Sequence, residues 1–375
     1  MGNPSSGGDV GRSESWRKKI GSRLILALAS TLLMLLLLEV LARVFVTDPR
    51  GLFAVSPRLG YVMAPHFSGK HGKFGQFKVQ IETNSKGLRD REFSAKGERQ
   101  RILVLGDSVS FGWGVEAEQA FPKRLESLQA PRAARRPFEV VNGGVWGYNT
   151  LQETEYVRAG AGGYQPDLVL VGFTSPVTIE RNWKCLQSGV ITVEPLAEPR
   201  TARRFLKAHS NLFSFLERQW AYQGRLYLMV LGVLQKVGLA RESAALAGDP
   251  ARSRAHPLAL KVTDPDAVAS ASVDLLETLE MSIAALGARM VVVVFPSAPV
   301  LADTLANKTP ESMERKLTRI LTQRLVDAGI ETLDLTAPLA ELSRNEPLYL
   351  PHDSVHINAA GHEKSAEVIR DFLGL

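Results

Sequence analysis

From about residue 100 onward, short apolar runs alternate with stretches of helical spacing. The runs lie at 102–105, 138–141, 166–173, 289–295 and 331–335 and are rich in Val, Ile and Leu. Apolar positions recur at helical spacing over 117–129, from 151, and over 269–287, 309–328 and 359–373. Unbroken apolar runs are typical of strands buried on both faces, and strands that alternate with helices are typical of parallel sheets. The pattern therefore predicts a three-layer α/β domain over residues 100–375.

The amino-terminal part of the chain has a different pattern. Residues 1–23 carry Gly, Ser and a basic cluster, and we predict that they form a disordered tail. Residues 24–46 are apolar over a length that can span a bilayer, with Glu39 and Arg43 four positions apart for pairing. The basic cluster favours a cytoplasmic amino terminus, so this helix is predicted to be a single inner-membrane anchor with an extracytoplasmic or periplasmic domain after it. One alternative is a cleaved signal peptide, although Arg43 directly follows Ala42 and leaves no small-x-small cleavage site. The other is a buried helix of a soluble protein.

Two further segments interrupt the α/β pattern. Residues 50–95 are rich in Gly, Pro and Lys and alternate in polarity over 77–83, with a turn at 84–87, which predicts a small β-rich collar. Residues 182–266 are too long for a loop and are predicted to be a helical insertion. Within it, 205–220 and 226–237 have helical patterns and 240–260 is typical of a flexible link. The second of these helices either packs on the domain or lies over the site as a lid or membrane-surface helix.

Composition excludes several classes of function. The 375 residues include 45% hydrophobic residues, enough for a large core, and carry a formal charge of +6. The basic residues are scattered, so we expect no nucleic-acid partner. The single cysteine, Cys185, excludes an internal disulfide and any CxxC pair, and the histidines form no cluster with metal-ligand spacing. We therefore expect neither a metal nor a cofactor.

Candidate chemistry begins at the end of the first apolar run. Gly106, Asp107 and Ser108 follow Leu105 directly, which places a serine hydroxyl at the carboxyl end of a parallel strand. Open α/β sheets bind their ligands at that edge, so Ser108 is the candidate nucleophile. Gly-Asp-Ser is also ordinary turn chemistry, and that simpler interpretation stays open at this point.

Two later segments supply possible partners. The second run is followed by a glycine-dense loop, Asn142 to Gly147, whose backbone N–H groups can approach a ligand closely. Asp353 and His356 lie three apart before Asn358, which suits the cap of the last helix. A serine needs a base within hydrogen-bond reach, and the base needs a carboxylate that orients it. The pair fits these roles better than His352 or His362, although a surface capping contact is the alternative.

The three pieces in this order resemble the SGNH/GDSL hydrolase family, and the anchor plus collar resembles its membrane-tethered bacterial members. The resemblance implies a flavodoxin-like sheet with Ser108 as nucleophile, His356 as base and Asp353 as the group that orients the base. It also implies an oxyanion hole built from the N–H groups of Ser108 and Gly147 and an asparagine side chain. Asn142, which begins the glycine loop, is more suited to a structural role.

One segment departs from the family pattern. After the third run the family carries Gly-x-Asn-Asp or a close variant, whereas this chain reads GFTSPVTIERN over 172–182. Val177 or a neighbour occupies the asparagine position. Thr174, Ser175 and Asn182 are the candidates for a replacement donor. Losing one such donor costs about two to three orders of magnitude in rate, so a slower or specialised enzyme is expected.

The sequence leaves three functions open. The first is an extracytoplasmic serine ester hydrolase that acts through an acyl-serine intermediate on an ester-bearing small molecule, lipid or glycan. The second is a polysaccharide O-acyltransferase that uses the same Ser-His-Asp site. The third, motivated by the missing asparagine, is a catalytically silent glycan-binding or envelope-assembly protein with the same fold.

Overall fold

The computed structural model divides the chain into two compact units, Met1–Thr47 with Arg200–Ala240, and Asp48–Pro199 with Arg241–Leu375. The residues that the structure describes are 9–47, 51–73, 76–93, 95–129, 137–191, 210, 212–213, 264–307 and 309–375. The predicted helices at 205–220 and 226–237 and the predicted link at 240–260 lie outside these residues, apart from 210 and 212–213.

In the first unit, helix α1 (Asp9–Phe45) is followed by the two-residue strand β1 (Val46–Thr47). Within the described residues, one stretch is long and apolar enough to cross a membrane: Gly21–Ala42, with a mean hydropathy of 2.6 and an apolar window in which no residue is buried. The prediction of disorder to residue 23 is wrong from Asp9 onward. A helix propagates at little cost once it is nucleated, so the polar residues before the apolar run extend it.

The predicted partner of Glu39 was Arg43, whose side chain lies outside the described part of the chain. In the structure the Glu39 carboxylate accepts hydrogen bonds from Ser210 Oγ at 2.7 Å and from the backbone N–H of Leu212 at 3.0 Å. The carboxylate of Glu39 lies on an apolar helix, and residues 210 and 212 of the same unit supply its hydrogen-bond donors.

The second unit begins with two antiparallel hairpins. Strands β2 (Phe53–Ser56) and β3 (Gly60–Met63) form the first, and β4 (Ser68–Lys73) and β5 (Phe77–Glu82) form the second. The predicted turn follows at 84–87, where the Gly87 N–H donates to the Asn84 carbonyl at 3.0 Å. Because these hairpins fall in the same compact unit as the α/β core, they are not a separate module.

The core is a five-stranded parallel sheet in the order β10–β9–β8–β6–β7. Its strands are β6 (Gln100–Gly106), β7 (Phe138–Asn142), β8 (Leu168–Thr174), β9 (Arg289–Phe295) and β10 (Thr332–Asp334). In order of appearance this is 2-1-3-4-5, the flavodoxin-like arrangement. All five predicted strands and the parallel α/β fold are confirmed.

Helices cover both faces of this sheet. On one face, α4 (Thr150–Gly160), α5 (Val177–Ser188), α6 (Pro265–Ala284) and α8 (Met313–Asp327) pack against Leu103, Val169 and Val292. On the other, α2 (Ser108–Phe111), α3 (Phe121–Ser127), α7 (Ala298–Leu305), α9 (Thr336–Leu342) and α10 (Ala359–Leu373) pack against Ile102, Leu170 and Val291. Alternate residues of each strand therefore enter opposite layers.

Some predicted boundaries need correction. The predicted helix over 117–129 is a 3₁₀ turn, Ala117–Gln119, followed by α3. Pro122 has no N–H to donate to the preceding turn, so a helix can only begin there. The insertion was expected to start at 182, but α5 continues through Asn182 and ends at Gly189, which has the left-handed conformation of a C-cap. Helices α2, α5, α7 and α9 were not predicted.

Candidate active site

Ser108 lies where β6 gives way to α2, and its residue is 2% exposed. Asp107 caps α2, since its Oδ1 accepts the Val109 N–H at 3.0 Å. Gly106 has φ +141°, and a Cβ there would lie 2.2 Å from Ser110 Oγ and 2.7 Å from the Gly172 carbonyl oxygen. The glycine therefore lets the chain turn sharply between two strands and presents the serine at the carboxyl edge of the sheet.

The loop before α10 brings the predicted base and carboxylate to this serine. His356 Nε2 lies 2.9 Å from Ser108 Oγ, and His356 Nδ1 lies 2.9 Å from Asp353 Oδ2. The loop is held by a hydrogen bond from the Leu350 N–H to the His356 carbonyl at 2.9 Å. Asn358 caps α10 as predicted, accepting the Gly361 N–H at 2.9 Å. The structure thus joins three residues that are up to 248 positions apart in sequence.

The Asp353 carboxylate is held in its charged form. Burial by itself would raise the pKa of this carboxyl, but the His356 ring and the backbone N–H groups of His356 and Val355 hold the pKa well below its ordinary value. Those N–H groups lie 3.0 and 2.9 Å from Asp353 Oδ1. An ionised Asp353 accepts a hydrogen bond from the Nδ1–H group of His356. In that tautomer Nε2 carries no proton and can accept the proton of Ser108.

The histidines that were set aside for the base role lie elsewhere. His362 is buried, and its Nδ1 accepts the Phe121 N–H at 3.1 Å. Burial, with the charges of Arg89 and His356, lowers the pKa of His362 to about 3, so this ring stays neutral and structural. His352 lies in the same loop as Asp353, with a left-handed backbone at φ 57°.

The glycine loop after β7 packs directly beside α2. Its start is fixed by hydrogen bonds from the Gly143 N–H to the Val104 carbonyl (2.8 Å) and from the Val145 N–H to the Gly106 carbonyl (3.0 Å). The Asn142 side chain accepts the Gly144 N–H at 3.0 Å, a structural role as expected. Gly147 has φ 83°, which a glycine adopts without cost. Its role as an oxyanion donor remains a prediction.

Gly144 is the tightest point of this loop. A Cβ at Gly144 would lie 2.5 Å from the Phe111 backbone nitrogen and 2.6 Å from the Ser110 carbonyl carbon, so α2 would have to move. We expect Gly144→Ala to destabilise the protein by about 1–3 kcal/mol and to lower Tm by roughly 3–10 °C. Gly163→Ala is the control, because no atom lies within 4 Å of a Cβ there. Equal thermal unfolding curves for the two variants would contradict the tight packing.

Of the three replacement donors, two are committed elsewhere. The Asn182 amide donates to Thr150 Oγ1 at 3.0 Å and Ser272 Oγ at 3.2 Å, so it ties α5 to α4 and α6. Ser175 Oγ lies 2.8 Å from Thr318 Oγ1 on α8. The structure therefore does not bring Asn182 or Ser175 to Ser108, because both side chains bond to the helical layer. The Thr174 hydroxyl donates to Oδ1 of Asp107, the residue before Ser108, at 2.8 Å.

Arg181, which was not predicted as a site residue, forms a partly buried ion pair next to Ser108. Arg181 Nη1 lies 3.2 Å from Asp107 Oδ2, and the two side chains are 13% and 1% exposed. A lone carboxylate at Asp107 would oppose negative charge that develops on a bound acyl group. The guanidinium of Arg181 offsets the negative charge of Asp107. Its position one helical turn into α5, in the segment that lacks the family asparagine, was the only sequence signal.

Aromatic rings cover one side of the site and were also missed. The Trp113 and His356 rings are stacked, with centroids 5.3 Å apart and planes at 29°. Trp113 also meets Trp146 at 3.8 Å, His71 at 4.4 Å and Phe77 at 5.7 Å. These contacts join the nucleophile loop, the glycine loop and the second hairpin around the imidazole.

No group of three or more His, Cys, Asp or Glu side chains within the described ranges could hold a metal ion. Cys185 is buried, and its Sγ accepts the Asn149 amide at 3.2 Å.

A buried serine at the carboxyl edge of a 2-1-3-4-5 sheet, bonded to a histidine from an Asp-x-x-His loop, is the arrangement of an SGNH/GDSL hydrolase-like fold. Residues 258–374 match the family model described as SGNH hydrolase-like domain, acetyltransferase AlgX. The matched region contains Asp353 and His356, whereas Ser108 precedes it.

Comparison with solved structures gives similar chains at low identity. A lipolytic protein of the G-D-S-L family from Veillonella parvula is 12% identical, with a TM-score of 0.39, over 74% of this chain and 100% of that chain. A catalytic mutant of an acetylxylan esterase from Geobacillus stearothermophilus is 15% identical, with a TM-score of 0.40, over 74% and 96% of the two chains. No curated protein matches the chain in sequence.

Proposed function

We propose that the protein is an extracytoplasmic serine ester hydrolase that acts through an acyl-serine intermediate. The observation that carries the proposal is the continuous hydrogen-bonded series from Ser108 through His356 to Asp353. A serine with this base and this carboxylate has the parts that acyl transfer requires.

The reaction follows from the placement of these groups. Ser108 Oγ attacks the ester carbonyl carbon while its proton passes to His356 Nε2. The carbonyl oxygen becomes an oxyanion that accepts hydrogen bonds from the backbone N–H groups of Ser108 and Gly147. Collapse breaks the ester C–O bond, and the leaving alcohol takes the proton from His356. Water then attacks the acyl-serine, gives a proton to His356, and releases the acid as that proton returns to Ser108 Oγ.

The proposed location rests on α1. The Gly21–Ala42 stretch can cross a bilayer, and the basic residues before it favour a cytoplasmic amino terminus. The hydrolase-like unit would then lie outside the inner membrane, attached by an uncleaved anchor. Alkaline phosphatase fused after residue 375 would be active in this topology and inactive in the opposite one.

A second candidate is transfer of the acyl group to a sugar hydroxyl, making the protein a polysaccharide O-acyltransferase. The family model that matches residues 258–374 carries the description of an acetyltransferase, which favours this candidate. The same three residues would serve, with a glycan hydroxyl in place of water in the second half of the reaction. The acetyl content of the surface glycan in a deletion strain separates the two: transfer predicts a loss, hydrolysis a gain.

Trapping the intermediate tests what both candidates share. The full-length chain in detergent is mixed with 4-nitrophenyl acetate, quenched in acid, and digested for peptide mass spectrometry. We expect one acetyl group on Ser108, with Ser110 of the same peptide unmodified, because only Ser108 bonds to a base. Turnover without acetyl on Ser108, or acetyl on another residue instead, would contradict the proposal.

A further inference from the structure

The imidazole of His356 is held at its edges by the reacting groups and on one face by an indole. Ser108 and Asp353 contact the two ring nitrogens, each at 2.9 Å. Trp113 lies against the ring face, with a centroid distance of 5.3 Å. An indole face attracts a cation, so this contact favours the imidazolium that forms when Ser108 gives up its proton.

The backbone that carries Trp113 is anchored by Arg89. This guanidinium, 1% exposed, donates to the carbonyl oxygens of Phe111 (3.3 Å), Gly112 (2.7 Å) and Val115 (2.8 Å). It also donates to the Gln80 carbonyl on β5 at 2.9 Å, which links the second hairpin to the nucleophile loop. Burial lowers the pKa of Arg89 to about 10, so the side chain is still charged at neutral pH. Its planar fork reaches several acceptors at once, which a lysine cannot do.

The glycines on either side of Trp113 fit the same arrangement. Gly112 and Gly114 have φ values of 82° and 78°. A Cβ at Gly114 would lie 2.3 Å from Leu350 Cδ1. Leu350 in turn bonds to the His356 carbonyl through its N–H, so the Trp113 loop packs against the loop that carries the base. The two loops have little freedom to separate.

We propose that Trp113 is a positioning residue for His356, with Arg89 as the clamp that fixes Trp113. This inference rests on the proposed acyl transfer at Ser108. Trp113 keeps the imidazole aligned between Ser108 and Asp353 and stabilises its charged form during each proton transfer. The second hairpin, which supplies His71, Phe77 and the Gln80 carbonyl, thereby helps to position the base.

Substituting Trp113 separates this role from a structural one. With 4-nitrophenyl acetate and the full-length chain in detergent, we expect Trp113→Leu to lower kcat about 10- to 100-fold with KM unchanged within about threefold. Trp113→Phe retains a ring face and should recover most of kcat. Trp183→Leu, which removes a half-buried indole from the opposite helical layer, is the control and should leave kcat near the wild-type value.

Three outcomes would overturn the inference. These are an unchanged kcat in Trp113→Leu, an equal loss in the Leu and Phe variants, and a rise in KM alone, which would make Trp113 a substrate contact. Failure of the proposed function is recognised separately, because turnover would then survive in Ser108→Ala. Arg89→Lys should reduce kcat as Trp113→Leu does, whereas Arg91→Lys, on an exposed side chain paired with Glu126, should not. The Trp113 variants decide the matter if Arg89→Lys does not fold.

Discussion

Replacing Ser108 with alanine is expected to lower kcat for a short-chain ester by at least about a thousandfold. Without Oγ, His356 has no proton to accept and no acyl-enzyme can form, so only oxyanion stabilisation and binding remain. Labelling by a fluorophosphonate should disappear at the same time. The measurement is initial-rate kinetics and gel fluorescence on the purified full-length chain.

Ser110→Ala is the matched control for this variant. Ser110 lies in the same short helix and is fully buried, but its hydroxyl bonds to the Leu105 carbonyl at 3.2 Å and not to a base. It should keep wild-type labelling. Labelling retained in Ser108→Ala would show that Ser108 is not the nucleophile. Complete rescue of a deletion strain by Ser108→Ala would favour the catalytically silent role instead.

The second large effect is expected at Glu153, on the first turn of α4. This carboxyl is buried, its Oε2 has no hydrogen-bond partner, and burial together with the Asp107 charge raises its pKa to about 8. A group with a raised pKa binds its proton more tightly in the folded state than in the unfolded state. The free energy of unfolding should therefore fall as pH rises from about 4.5 to about 8, by up to about 1.4 kcal/mol per pH unit.

Glu153→Gln should remove that pH dependence. The amide has nearly the same shape and no charge to bury, so we expect the variant to be more stable than wild type by roughly 2–3 kcal/mol at pH 7 and equally stable near pH 4.5. Urea unfolding at three pH values measures the difference. Glu155→Gln, two residues on and paired with Arg58 and Arg158, provides the control. Parallel curves for wild type and Glu153→Gln would show that Glu153 is not held protonated.

The sheet and the segments that carry Ser108, Asp353 and His356 could be predicted because their signals are local. A Val-rich run such as 289–295 predicts a strand that is buried on both faces. The GDS and Asp-x-x-His segments each carry their candidate chemical groups within a few positions. Only their meeting in space required the structure. Helix boundaries were harder to predict. The start at Asp9 depends on helix propagation from the apolar run, and the start of α3 depends on the N–H group that Pro122 lacks.

The residues that support the site could not be predicted from sequence. Arg89 follows a turn in the collar, and its acceptors are backbone carbonyls, which leave no mark in the sequence. Arg181 and Glu153 occupy helical positions whose sequence pattern is typical of solvent-facing residues, yet Arg181 is partly buried and Glu153 is buried, both near Asp107. Ser175 and Asn182, the two predicted replacement donors, instead form hydrogen bonds that link the sheet and α5 to α4, α6 and α8.

The hairpins have a practical consequence for where the chain can be cut. Tyr61 Oη donates to the Trp146 carbonyl at 3.0 Å, and Tyr148 Oη donates to the Tyr61 carbonyl at 2.8 Å, within an apolar cluster that also includes Leu52 and Phe111. A fragment that begins at Gln100 would keep every reacting side chain but expose this cluster to water. A membrane-free enzyme should therefore retain the chain from about Leu52, so that truncation removes the anchor and leaves the folded unit whole.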